Sequence, residues 1–320
     1  MYESIKDFSE QFKWSPETVN GDKLGKYSKY ILAGMGGSHL AGGIINIAWP
    51  EIDLWIHRDY GLPIIPKDEK EKTLIIVSSY SGNTEEVISC LEEALAEGQD
   101  VAVVADSGRL LEIAKEKGLP YIDLPATGIQ PRMATGFSLL AIMKLIGDEG
   151  KLREISELGG LLYPLNYEEQ GRDLADKLKN WIPIIYSSAR NKPLAYIWKI
   201  TMNETGKSMA FFNAFSELNH NELEGFDMLE RNPELAGKFK FIFLKDTADH
   251  ERVGTRMEVM KKILEKKGFE VIWLDLTDSN RLLRIFGSIM LAAWTSLNIA
   301  ETAGFDPAAV PTIEEFKRSI

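Results

Sequence analysis

The sequence predicts an α/β protein made of two similar halves, each a parallel sheet flanked by helices. Three observations lead there. Short apolar runs alternate with amphipathic segments along all 320 residues, the pattern of strand–helix–strand units. The run Leu74-Ile75-Ile76-Val77 is apolar throughout, as a strand buried on both faces must be. The order strand, polar turn, helix, glycine, strand occurs at 74–104 and again at 241–274.

In the first half, strands are expected over 30–35, 53–56, 73–78, 101–104 and 121–124. The first runs into the glycine turn Gly36-Gly37. A helix over 84–96 sets Val87, Leu91 and Leu95 on one face, with Glu85, Glu86, Glu92 and Glu93 elsewhere, and Gly98 ends it. In the second half, a strand over 181–186 leads through the turn 187–190 into a helix that passes Trp198. A strand over 239–244, a helix over 251–267 and a strand over 270–274 follow. Two domains, 1–150 and 151–320, are expected from an ancient duplication, with the boundary in the Gly- and Leu-rich stretch 149–167.

Composition narrows the function. With 48 acidic and 37 basic side chains the formal net charge is −11, a field that repels polyanions, and no long Lys/Arg run offsets it. Nucleic acid is therefore not an expected partner. The single cysteine, Cys90, excludes an internal disulfide and every multi-cysteine metal motif, and its apolar neighbours Val87, Ile88 and Leu91 make it a packing thiol. The first residues lack the basic start and apolar core of a signal peptide. The most apolar stretch, 285–300, is shorter than the roughly 20 residues a membrane span needs and carries Ser288, Thr295, Ser296 and Asn298. No membrane partner is expected, and the default location is the cytoplasm.

Ser79-Tyr80-Ser81-Gly82-Asn83-Thr84 places three hydroxyls in six residues, after the most buried strand and before a helix. Ligands of open α/β sheets sit beyond the carboxyl ends of the strands, and a helix N-terminus there favours an anion. Hydroxyls donate to phosphate oxygens without net positive charge, which suits an acidic protein. A single Ser or Thr at this place reads first as a helix cap; three with a glycine read as a phosphate loop. The corresponding turn of the second half, Lys245-Asp246-Thr247-Ala248-Asp249-His250, is acidic and lacks the hydroxyls. Gly34-Met35-Gly36-Gly37-Ser38 fits neither a dinucleotide turn, since His39 stands where the third glycine belongs, nor a P-loop. It emerges at the same sheet edge and can flank the same ligand.

Of the four histidines, His57 and His250 read as surface positions, and His39 as either a ligand contact or helix packing. His220 lies in the polar run Asn219-His220-Asn221-Glu222, and Glu204 ends the helix that carries Trp198. Alone, each reads first as a helix-end or loop residue; together they can supply an acid and a base.

Gly34-Met35-Gly36-Gly37-Ser38, Ser79 to Glu85, Gln130-Pro131-Arg132, Asn203-Glu204 and Asn219-His220-Asn221-Glu222 occur together and in this order. The chain resembles the bifunctional phosphoglucose/phosphomannose isomerases, a branch of the sugar isomerase (SIS) domain superfamily, over nearly its whole length. The resemblance implies two SIS domains, each with a parallel sheet of about five strands. It also implies a homodimer with an active site shared between subunits, no cofactor and no metal, and interconversion of aldose and ketose 6-phosphates. Glu204 matches the base that moves a proton between C2 and C1. His220, from the other subunit, and Lys317 match the ring-opening residues. Arg132 matches the cation facing the cis-enediolate. Ser79, Ser81 and Thr84 match the phosphate ligands, with Gly37 and Ser38 near the sugar, and Thr312 is a candidate for admitting mannose 6-phosphate. Two positions depart from the family pattern: His39 replaces a small residue and Gly43 a common Asp, which opens another sugar phosphate as substrate. A sugar-phosphate sensor without turnover is the third reading; Glu204, His220 and Arg132 argue against it.

Overall fold

The computed structural model describes residues 1–230 and 232–319. They form two compact units, Lys6–Tyr163 and, with the short N-terminal segment Met1–Ile5, Pro164–Ile320.

In the first unit, strands β1 (Lys29–Ala33), β2 (Asp53–His57), β3 (Thr73–Ser78), β4 (Val101–Ala105) and β5 (Tyr121–Asp123) form a parallel sheet in the order β2-β1-β3-β4-β5. β3 lies between β1 and β4, with Tyr30 opposite Leu74 and Ile75 opposite Val101. That central place explains its fully buried, unalternating sequence. Ile31, Ile75, Val77 and Val103 form a core with Val87, Leu91, Leu110 and Ile113 from the helices Glu85–Ala96 and Gly108–Lys117. Cys90 belongs to this core, and burial pushes its thiol up to about 12, which leaves it a packing group. The helices Leu40–Ala48 and Thr135–Ile146 pack against each other.

In the second unit, β6 (Ile182–Ser188), β7 (Phe211–Phe215), β8 (Phe239–Asp246) and β9 (Val271–Leu276) form a parallel sheet in the order β7-β6-β8-β9. Position by position this is the first order without its fifth strand. The expected count of about five is therefore four here. The chain leaves β9 and enters the 22-residue helix Arg281–Thr302 directly, started by Asn280, whose side chain accepts from Leu282 N and Leu283 N. The apolar stretch 285–300 is longer as a helix than the sequence suggested. Among the described residues it is the one helix long and apolar enough to cross a membrane, and most of it is buried. It packs on the helices Glu168–Leu178 and Lys192–Glu204. Strand β7 was not expected from the sequence. It is an edge strand of five residues whose apolar run is broken by Asn213, so it lacks the continuous apolar signal of β3.

Trp198 is fully buried and its Nε1 donates to Ser288 Oγ at 2.9 Å, fastening the helix Lys192–Glu204 to Arg281–Thr302. Trp198→Ala is expected to destabilise this unit by about 3–5 kcal/mol, measured by urea unfolding followed by circular dichroism. A loss below 1 kcal/mol would contradict this packing.

Candidate functional site

The site in the first unit lies at the carboxyl ends of β1, β3 and β4, where the strand order changes direction between β1 and β3. The loops after β1, β3 and β4 meet there, joined by the segment after β5 that carries Arg132. The loop after β3 is Ser79 to Thr84, with Ser79 almost fully buried and Ser81 exposed. Ser79 Oγ and Thr84 Oγ1 are 2.7 Å apart. Thr84 occupies the cap position of the helix Glu85–Ala96 but makes no cap bond. The plain-cap alternative therefore does not describe it: its hydroxyl is turned to Ser79.

The glycine turn after β1 is fastened to this loop. Ser38 Oγ accepts from Tyr80 N at 2.9 Å, and Ser78 Oγ donates to Ser38 O at 3.3 Å. Gly37 in turn lies against the backbone of Pro131 and Arg132, so close that an added Cβ would sit 2.6 Å from Arg132 N. A side chain there would push the turn away from Arg132, which is itself buried. Gly37, Ser38, Ser79, Thr84 and Arg132 are thus brought into one neighbourhood by the Ser38–Tyr80 and Ser79–Thr84 hydrogen bonds and by the contact of Gly37 with the backbone of Arg132. Gly82 has φ +67°, and an added Cβ would sit 1.7 Å from Ser107 O, so only glycine fits the bend.

The short 3₁₀ segment Pro131–Met133 that carries Arg132 is held by a residue that sequence reasoning missed. Gln11, nearly fully buried, donates through Nε2 to Met133 O at 2.7 Å and accepts through Oε1 from Gly136 N at 3.0 Å and Phe137 N at 3.3 Å. It caps the helix Thr135–Ile146 from more than a hundred residues away, and no local pattern announces such a bond.

His39 sits beneath the glycine turn at the start of the helix Leu40–Ala48 and is nearly fully buried. Burial, reinforced by the Arg58 charge and opposed by a hydrogen bond to the Gly36 backbone, pushes its imidazole down to about 4. It is neutral at pH 7. His57 and His250 make local bonds, to Gly61 O and from Arg252 N.

The second unit holds the other residues the sequence singled out. Glu204 is the last residue of the helix Lys192–Glu204 and is half-buried. The following turn is closed by Asn203 Nδ2, which donates to Ser208 O at 2.8 Å, and by Lys207 Nζ, which donates to Glu204 O at 2.5 Å. Lys207 also donates to Ala309 O, so this turn is tied to the chain just before the helix Pro311–Ser319. Lys317 lies exposed on that helix, 3.4 Å from Glu314, and Thr312 is exposed near its start. His220 is exposed at the end of the 3₁₀ turn Glu217–His220. Two neighbours root this turn: Leu218 is buried in the aromatic core, and the Glu222 carboxylate accepts from Tyr186 and Asn213.

At the carboxyl edge of the second sheet the turn after β8 is filled by its own carboxylates. Ser188 Oγ donates to Asp249 Oδ1 at 2.7 Å, and Asn191 Nδ2 donates to Asp246 Oδ2 at 3.2 Å. Arg284 Nε lies 3.2 Å from Asp246 Oδ1, an ion pair without hydrogen-bond alignment. Burial holds the Asp249 carboxyl above the usual carboxylate range. Carboxylates here oppose an anion. Among the described residues no group of three or more His, Cys, Asp or Glu could hold a metal ion.

Residues 167–320 match the family described as the bacterial phospho-glucose isomerase C-terminal SIS domain. The whole chain is 35% identical to the bifunctional phosphoglucose/phosphomannose isomerase of Aquifex aeolicus, of which the match spans 98%. It is 33% identical, again over the whole chain and 98% of the relative, to the enzyme of the same name from Caldicellulosiruptor bescii. Among solved structures, the tagatose-6-phosphate ketose/aldose isomerase of Escherichia coli superposes with a TM-score of 0.67 at 15% identity, over 96% of this chain and 93% of that one, a likeness of fold.

The unfolded imidazole of His39 takes up a proton near pH 6.5 and the folded one only near 4. Above pH 6.5 the two states bind equal numbers of protons. Stability is expected to fall as pH drops from 6.5 to 4, by roughly 3 kcal/mol from this group. Urea unfolding across that range should show a shallower slope for His39→Gln; equal slopes would contradict a buried neutral imidazole.

Proposed function

The chain belongs to the bifunctional phosphoglucose/phosphomannose isomerase family, and from that premise we propose that it interconverts glucose 6-phosphate and mannose 6-phosphate with fructose 6-phosphate. The observation that carries the reading is the loop Ser79 to Thr84 at the sheet edge, fastened through Ser38 and Gly37 to the backbone of Arg132. A phosphate held by the hydroxyls of Ser79, Ser81 and Thr84 is a handle distant from the reacting carbons. Fixing it positions those carbons and removes much of the entropy barrier.

In the proposed reaction the Glu204 carboxylate takes the proton from C2 of the open-chain aldose and returns it to C1 of the cis-enediolate. The hydroxyl proton passes from O2 to O1, so atoms balance without an external donor. The Arg132 guanidinium stabilises the negative charge that develops on the enediolate oxygens. Ring opening needs a donor at the ring oxygen, the role proposed for His220 with Lys317. The exposure of His220 on its own chain supports a homodimer in which the partner subunit's His220 completes the site. Thr312 is the residue proposed to admit mannose 6-phosphate. A cytoplasmic location fits phosphorylated sugars as substrates. The internally bonded carboxylates of the turn after β8 support confining phosphate to the first unit.

Coupled assays of fructose 6-phosphate formation from glucose 6-phosphate and from mannose 6-phosphate test the proposal. Both are expected to turn over, and Glu204→Gln to lower kcat by about 100- to 10,000-fold with substrate still bound. Binding of both sugars without turnover by the natural chain would sink the isomerase reading in favour of a sensor.

A further inference from the structure

Asn83 stands in the middle of the phosphate loop, and its side chain does not face the helix that follows it. Its Oδ1 accepts from Arg109 N at 3.0 Å, and its Nδ2 donates to Ser81 O at 3.1 Å. Two further bonds join the same segments: Leu110 N donates to Gly82 O at 2.9 Å, and Asp106 N donates to Tyr80 O at 3.0 Å. The helix Gly108–Lys117 is therefore started by the neighbouring loop. Ser107, in its own cap position, makes no side-chain cap bond.

The fit admits little slack. An added Cβ at Gly108 would lie 2.5 Å from Ser81 O and 2.7 Å from Asn83 Oδ1. The two helices that begin at this edge are used differently. At Gly108–Lys117 the early N–H groups of Arg109 and Leu110 are consumed inside the protein, whereas the helix Glu85–Ala96 has no side-chain cap. The partial positive charge at the latter is the one left for a bound anion. The same amide, by gripping Ser81 O, fixes the main chain between Ser79 and Thr84 and so the spacing of the three hydroxyls.

We propose that Asn83 is a positioning residue for phosphate: it latches the loop Ser79 to Thr84 onto the start of the helix Gly108–Lys117 and holds the hydroxyls in their binding arrangement. This inference rests on the assignment of that loop to the sugar phosphate. An Asp at this position would keep the acceptor for Arg109 N, lose the donor to Ser81 O, and set a negative charge beside the anion. An Ala would lose both bonds.

The test compares the full chain with Asn83→Ala and Asn83→Asp. It measures KM and kcat for fructose 6-phosphate, competitive inhibition by inorganic phosphate, phosphate binding by calorimetry, and the thermal midpoint. Asn83→Ala is expected to raise KM and the inhibition constant of phosphate by the same factor, about 10-fold, with kcat changed less than about 3-fold. Asn83→Asp should lose at least as much, and its loss should shrink as ionic strength rises. A lowered thermal midpoint with unchanged phosphate affinity would overturn the proposal, as would a loss confined to kcat. If the natural chain binds phosphate but does not isomerise, the functional reading fails alone, and calorimetry on the variants still decides this one. If it binds neither phosphate nor fructose 6-phosphate, both fall. Should Asn83→Ala not fold, Asn83→Asp supplies the same comparison.

Discussion

An acidic chain that holds a phosphate dianion cannot rely on its overall field, which at a net charge of −11 pushes the ligand away. The attraction has to be local and short-ranged, and hydroxyls and main-chain N–H groups can supply it without net charge. The parallel sheet answers this need, because every strand delivers a turn to the same edge and every following helix starts there with unpaired N–H groups. Much of the first unit follows from keeping three of those turns in register. β3 is apolar on both faces because the strand carrying the loop is central. Ser38 spends its hydroxyl on Tyr80 N, and Gly37 gives up a side chain so that the backbone of Arg132 can close in.

The two sheets are an instructive pair because they share a strand order and differ at the edge. In the first, the central turn has hydroxyls and a glycine with positive φ. In the second, Asp246 and Asp249 occupy the corresponding turn and are engaged by Ser188, Asn191 and Arg284. A buried carboxylate needs such partners, and once it has them the place is both filled and negative. The second unit instead presents Glu204, the last residue of the helix Lys192–Glu204.

How much of this was legible in the sequence depended on range. β3 is found at its expected limits because its signal is local: six residues, buried on both faces. The expected strand over 30–35 stops at Ala33, since Gly34 already bends toward the turn, where an added Cβ would meet Ser78 O at 3.1 Å. The hydroxyl pattern of the loop was readable for the same reason as β3. What could not be read are bonds between distant segments. Gln11 on Met133 and Asn83 on Arg109 look in sequence like ordinary polar residues, and only the fold supplies their partners. β7 and the missing fifth strand failed differently, one because Asn213 breaks a run of only five residues, the other because an apolar run does not by itself disclose how long its helix will be.

The same distinction bears on the two departures from the family pattern. From sequence, His39 reads as either a ligand contact or helix packing, and with Gly43, in the place of a common Asp, it opens another sugar phosphate as substrate. In the fold both are buried, His39 beneath the turn and Gly43 within the helix Leu40–Ala48. An imidazole kept neutral by burial and by Arg58 brings volume and no charge. A carboxylate at the buried Gly43 position would need its own partner, so its absence relieves a burial cost. Of the two, His39 is joined to the glycine turn, through its hydrogen bond with the Gly36 backbone. Through Gly36 that link leads to Gly37, which packs on the backbone of Arg132, so the volume of a buried neutral imidazole reaches the candidate site by way of the turn's backbone.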